Sequence, residues 1–278
     1  MSEDDNNKKT FIQDLSGKFL FMRHGQTTYN ILNSDPTRRY NPDLCDSPLT
    51  ENGINQTKEK REVINALNIE KVYVSPYYRA IQTLVVVLET YPGIENLKVI
   101  VHPKIGELIS SANDFIFDIK KTKKEFNMNS KVKIDWSYFD EYVKNSKYDE
   151  NFFYFENINL LDEKEKDEEY LKLKSFYDKG DMKNYKEELR RFLEEKNKTM
   201  EKYESFKHSY ERFQDFKTYL KNEHKGTYND NDRKILCVSH SNFIKSATSP
   251  VPFLQDKMYE KTDHLYKPQN GEIMTLII

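Results

Sequence analysis

Two short apolar runs in this chain each stop at a histidine. Lys18-Phe-Leu-Phe-Met22 leads into Arg23-His24, and Arg233-Lys-Ile-Leu-Cys-Val-Ser239 leads into His240. An apolar run of this length suits a parallel strand with helices on both of its faces. Val72 to Ser75 and Lys98 to Val101 read as two more such strands, and a last one is expected near Glu272 to Ile278. Helical patterns lie between them. One runs from Thr50 to about Leu67, and another is opened by Pro76 and carries Ala80, Leu84 and Leu88. Strand and helix in alternation predict an α/β fold: a mostly parallel central sheet with helices on both faces.

Residues 1–16 read as a flexible tail and 17–278 as a single domain, with an insertion at about 115–230. Within the insertion, 115–182 is rich in Lys, Asp, Asn, Tyr and Phe and includes the charge run Glu163–Glu169, which suits short peripheral helices. From about Lys183 to Asn222 the helical pattern is clear. Met200, Tyr203, Phe206, Tyr210, Phe213, Phe216 and Leu220 recur at three- and four-residue steps and predict an apolar stripe packed on the sheet. The chain is 37% hydrophobic and 32% charged, so its 19 Tyr and 17 Phe must supply much of the buried area.

Bulk properties narrow the function. The 44 basic and 46 acidic residues nearly cancel, which gives no support for nucleic-acid binding. The N-terminus is polar and acidic, unlike a signal peptide, and Leu84 to Leu88 is too short to cross a bilayer, so no membrane association is expected. Cys45 and Cys237 form no CxxC pair, and no metal-ligand cluster is visible. A reducing, cytoplasmic setting follows. Oligomeric state has no signature.

In open α/β sheets, ligands bind at the carboxyl ends of strands. If the strands at 18–22, 72–75 and 234–239 are neighbours, Arg23, His24, Arg79 and His240 converge there. Two permanent cations and two imidazoles repel one another unless an anion joins them, and guanidinium groups match phosphate oxygens. A neutral imidazole is a competent nucleophile toward phosphorus near pH 7. His24 would attack, with Gly25 allowing close approach to the anion. Arg23, Arg79 and a protonated His240 would hold the phosphoryl oxygens. Asn30 could donate another hydrogen bond, and Thr27 could orient the loop. A leaving alkoxide needs a proton; Glu107, just past a strand, is the leading acid, with Glu95 and Asp114 as competitors. His102, His208, His224 and His264 are isolated and read as non-catalytic, and Cys237 as core.

These residues fall in a recognisable frame. Arg23-His24-Gly25-x-Thr27-x-x-Asn30 resembles the signature of the histidine phosphatase, or phosphoglycerate-mutase-like, superfamily. Asp46-Ser-Pro-Leu-Thr50-x-x-Gly53-x-x-Gln56, Ser75-Pro-x-x-Arg79-Ala-x-Gln82-Thr83, Gly106-Glu107-Leu and Val238-Ser-His240-Ser-Asn242-Phe resemble its later blocks, in the same order. The resemblance implies a phosphohistidine at His24 and a phosphate pocket from Arg23, Arg79 and His240, with Thr27, Asn30 and Asn242 around it. It also implies a proton donor at Glu107, hydrolysis by water, and no metal or cofactor. Gln26-Thr27 and Gly106-Glu107-Leu-Ile-Ser-Ser stand where the mutase branch shows a Glu-Ser pair and an Asn-Glu-Arg segment followed by Tyr-Gly, which favours a phosphatase. A cofactor-dependent phosphoglycerate mutase and a non-catalytic binding scaffold of the same fold are the alternatives. The expected substrate is a phosphorylated small molecule (sugar, nucleotide or inositol phosphate) or a phosphoprotein, with the insertion as a lid that sets specificity.

Overall fold

The computed structural model describes residues 15–198, 203–227, 232–248 and 267–275. Six strands form one sheet: β1 Phe19–Arg23, β2 Ile69–Val74, β3 Lys98–Val101, β4 Ile134–Asp135, β5 Lys234–Ser239 and β6 Ile273–Thr275. Their order is β4-β3-β2-β5-β1-β6, all parallel except β6, which runs antiparallel to β1. Ten helices surround the sheet among the described residues: α1 Thr28–Ile31, α2 Glu51–Lys58, α3 Arg61–Asn65, α4 Tyr78–Leu88, α5 Ile119–Asn129, α6 Ser137–Lys144, α7 Glu163–Asp178, α8 Met182–Asn197, α9 Phe206–Glu223 and α10 Ser241–Ala247. The fold is therefore the mostly parallel α/β sheet with helices on both faces that the alternation predicts.

The two-residue period of each strand divides its side chains between two cores. Phe19 and Phe21 of β1, Tyr73 of β2, and Ile235 and Cys237 of β5 pack with Phe213, Phe216 and Leu220 of α9 and Phe243 and Ile244 of α10. Leu20, Met22, Val72, Val74, Leu236 and Val238 face the other way, onto Ala80, Ile81, Leu84, Val87 and Leu88 of α4. Burial on both sides explains why these strands read as unbroken apolar runs.

Two expected helices are each divided. The pattern from Thr50 becomes α2 and α3, because the Lys60 N–H turns back to Thr57 O at 3.1 Å and closes the turn early. The stretch from Lys183 to Asn222 becomes α8 and α9. Between them the N–H groups of Tyr203 and Glu204 bond to Ile109 O at 3.0 and 3.1 Å, and Ser205 starts α9 by accepting the His208 N–H. The stripe splits accordingly: Phe213, Phe216 and Leu220 pack on the sheet, whereas Tyr203 joins the opposite core. Met200, His264, the first 14 residues and the end of the last expected strand lie outside the described residues.

The inserted segment is more than a peripheral rim. It adds β4 to the sheet edge, a two-residue strand too short to show in the sequence. Phe152, Phe153, Tyr154 and Phe155 are all buried in a 3₁₀ segment and belong to the same core as α4 and the sheet.

Candidate active site

β2, β5 and β1 are adjacent, so their carboxyl ends meet. The His24 N–H bonds to Ser239 O and the Ser75 N–H to Val238 O, both at 3.0 Å. His24 and His240, far apart in the chain, have ring centroids 5.2 Å apart. His24 Nδ1 lies 2.8 Å from Gly25 O. A carbonyl oxygen can only accept, so Nδ1 carries the proton and Nε2 keeps its lone pair. Burial, then the Arg79 and Arg23 charges, holds the His24 pKa well below the ordinary imidazole value, so the ring is neutral at pH 7.

Gly25 also serves a packing contact. A Cβ there would lie 2.6 Å from Gly53 O, and one at Gly53 would lie 2.0 Å from Gln26 O. The two glycines let the His24 loop lie directly against α2. Polar side chains also fasten that loop. Thr83 Oγ1 accepts the Gly25 N–H at 3.0 Å, Gln56 Oε1 accepts the Gln26 N–H at 3.3 Å, and Thr50 Oγ1 donates to Gln26 Oε1 at 2.9 Å.

The charge cluster is more compensated than its sequence suggests. Arg79 is fully buried; its Nη1 donates to Asp46 Oδ1 at 2.9 Å and Asn113 O at 2.7 Å, and its Nη2 to Asp114 Oδ1 at 3.4 Å. Asp46 also accepts the Tyr78 N–H at 2.6 Å, and holds these bonds with φ at 36°, a strained value for a residue other than glycine. Arg23 Nη1 donates to Pro268 O at 2.8 Å, and burial lowers its pKa to about 10 despite the Glu107 charge. The expected repulsion among Arg23, Arg79 and the imidazoles is thus answered by carboxylates of the chain itself. Buried Nε atoms of both arginines and His240 Nδ1 have no hydrogen-bond partner among the described residues. His240 Nε2 is 2.7 Å from Ser75 Oγ. Burial and the Arg79 charge hold its pKa well below the ordinary value, so His240 is neutral here rather than protonated.

Above this floor lies a cavity of about 490 Å³, lined in part by Arg23, His24, Asn30, Glu107, Asp114 and Asn242. Arg79, His240 and Thr27 do not line it. Thr27 is buried and caps α1, with the Asn30 side chain accepting the Thr27 N–H at 3.0 Å in return. Asn30 therefore works as a cap as well as facing the cavity. Glu107 Oε1 accepts the N–H groups of Leu108 at 2.9 Å and Phe243 at 3.0 Å; among the described residues its Oε2 has a single long bond, 3.4 Å, from Asn242 N–H. Asp114 Oδ2 accepts from the N–H and hydroxyl of both Ser110 and Ser111. Burial and the nearby Glu107 raise the Asp114 pKa to about 6. Glu95 sits before β3, at the opposite end of the sheet.

Other cavity residues escaped sequence reasoning: Tyr29, Arg38, Arg39, Ser110, Ser111, Lys267 and Asn270. The Arg38-Arg39 pair between Pro36 and Pro42 was the available signal. Arg38 stacks on Tyr29, 4.6 Å from the ring centroid, and donates to Tyr29 O at 3.1 Å. Among the described residues, none from 115–230 lines the cavity. The insertion supports the site from behind, where α8 packs on the 3₁₀ turns Pro36–Tyr40 and Pro42–Leu44. His102 stacks on Tyr138, His208 bonds to Glu204, and His224 meets Tyr73 and Glu70, all outside the cavity. Among the described residues no helix is long and apolar enough to cross a membrane, and no group of His, Cys, Asp or Glu could hold a metal ion.

Residues 19–111 match the family model of the histidine phosphatase superfamily, branch 1. Similar solved structures include "Mycobacterial hydrolase 1" (16% identity, 92% of this chain, 88% of the other, TM-score 0.47). A mycobacterial glucosyl-3-phosphoglycerate phosphatase in complex with VO3 follows at 17% identity, 92% and 88% coverage and TM-score 0.46. A phosphoglycerate mutase from Bacillus anthracis strain Sterne matches at 19% identity, 82% and 76% coverage and TM-score 0.40. No curated protein matches.

Proposed function

We propose that this chain, whose residues 19–111 match the family model of the histidine phosphatase superfamily, branch 1, is a phosphomonoester hydrolase that works through a phosphohistidine at His24. The observation that carries the reading is the Nδ1–Gly25 O bond. It leaves Nε2 of a neutral imidazole as a free lone pair at the edge of a basic cavity.

In this reading Nε2 attacks phosphorus and the P–O bond to the leaving group breaks. Glu107 enters the reaction as the carboxylic acid, and the leaving oxygen takes the proton from its Oε2, which holds a long backbone bond where Oε1 holds two shorter ones. Water then attacks the phosphohistidine, giving its proton to Glu107 and releasing phosphate, and the imidazole returns to its neutral form. Arg23 supplies hydrogen bonds to the transferring oxygens, and Arg79 and His240, buried in the floor beneath, add positive charge from below. A phosphate dianion beside His240 favours its imidazolium form, reversing the balance that burial sets. A cavity of about 490 Å³ with Arg38, Arg39 and Lys267 on its wall suits a phosphorylated small molecule. Asp114 already carries four donors on one oxygen, which makes it the weaker choice for the acid.

Phosphate release from a panel of phosphomonoesters tests this. His24→Ala is expected to lose at least about 10³-fold in kcat, as removal of a nucleophile does. Equal rates for the two proteins would remove the nucleophile assignment.

A further inference from the structure

The loop that carries Glu107 is gripped from the insertion side. Glu204, fully buried just ahead of α9, and Arg212, within α9, form a two-pronged pair: Nε to Oε1 at 2.7 Å and Nη2 to Oε2 at 3.0 Å. Arg212 directs its other hydrogens to backbone carbonyls of the loop. Nη1 reaches Lys104 O at 2.9 Å and Gly106 O at 3.3 Å, and Nη2 reaches Glu107 O at 3.3 Å. Glu204 Oε2 accepts the Ile109 N–H at 3.1 Å, while Ile109 O accepts from Tyr203 and Glu204. Glu204, His208 and Arg212 follow at four-residue steps, and His208 Nδ1 lies 3.0 Å from Glu204 Oε1. The backbone on both sides of Glu107 is thus bonded to one buried ion pair.

Stability alone does not account for such a pair. Desolvating two charges costs several kcal/mol, and apolar replacements of similar volume are often neutral or stabilising. Planar, two-pronged geometry instead fixes direction. We propose that Glu204 and Arg212 are positioning residues, which hold the 104–109 backbone so that the Glu107 carboxyl meets the leaving oxygen in the cavity. This rests on the reading of Glu107 as the proton donor.

The test compares kcat/KM for an ester whose leaving group needs a proton, glycerol 2-phosphate, with one that does not, p-nitrophenyl phosphate. Arg212→Lys and Glu204→Gln are expected to lose at least about tenfold on glycerol 2-phosphate and under about threefold on p-nitrophenyl phosphate, because a misplaced acid matters only where a proton must move. Glu107→Gln, run in parallel, should show the same selectivity more strongly. If the single variants fold poorly, Glu204→Gln combined with Arg212→Met removes both charges and restores a neutral interior. That folded double variant should still discriminate between the esters as the singles do. Equal losses on both esters, or wild-type rates, in any folded pair variant overturn the proposal. An unselective Glu107→Gln would overturn the acid assignment, and the positioning role with it.

Discussion

His24 and His240 sit neutral beside guanidinium groups, and this has a consequence for stability. Their folded pKa values are depressed, whereas the unfolded chain titrates near 6.5. Above that pH both states are neutral and nothing is lost. As pH falls through 6.5, the unfolded chain takes up protons that the native site refuses, so stability declines, by about 1.4 kcal/mol per pH unit for each such histidine well below 6.5. Urea unfolding between pH 7 and pH 5 should show this fall, and His240→Asn should flatten it by roughly one histidine's share. A slope unchanged by the substitution would contradict the burial argument. Asp114 works in the opposite sense. Its pKa of about 6 lies above the ordinary carboxyl value, so its share of stability is fullest below pH 4 and declines between pH 4 and pH 6.

At the scale of elements, His24, the proposed nucleophile, depends on a loop pressed against a helix. The three strand ends place His24 and His240, but the Gly25–Gly53 contact and the Thr50, Gln56 and Thr83 bonds set the course of the backbone after β1. Gly53→Ala would put a methyl group 2.0 Å from Gln26 O, a backbone atom with nowhere cheap to go. We expect a loss of about 1–3 kcal/mol in stability, and a larger fractional loss in kcat than in folded protein, because the whole 24–27 turn must shift. Gly226, which has no atom within 4 Å of its would-be Cβ and no strained φ, is the control, and Gly226→Ala should leave both unchanged. Activity and thermal melting of the two variants decide the matter; similar behaviour would dismiss the contact.

At the scale of the whole molecule, the inserted aromatics and the sheet share one core among the described residues. Phe153 lies 6.2 Å from Tyr77 and 5.1 Å from Phe139, ring to ring, and Tyr77 in turn lies 5.0 Å from His240. Phe153→Ala should cost about 3–5 kcal/mol and lower a single melting transition. Two separate transitions by calorimetry would mean that the insertion folds on its own. On this view the insertion acts as scaffold for both walls of the cavity: α8 backs the turn with Arg38 and Arg39 and the turn after it, where Lys186 Nζ meets Asp43 Oδ1 at 2.6 Å, and α9 backs the Glu107 loop.

The amino-acid order alone carried the sheet and the meeting of His24 with His240. Doubly buried strands leave unbroken apolar runs, and parallel strands bring their carboxyl ends to one edge, so Lys18–Met22 and Arg233–Ser239 already implied a shared crevice. Local sequence could not show where long-range bonds would fall. The carboxylate partners of Arg79, the cut between α8 and α9 at Tyr203–Ser205 and the Arg212 grip on residues 104–107 all join positions distant in the chain. Hydrogen bonds and ion pairs depend on distances of a few tenths of an ångström, and only the folded backbone sets those distances.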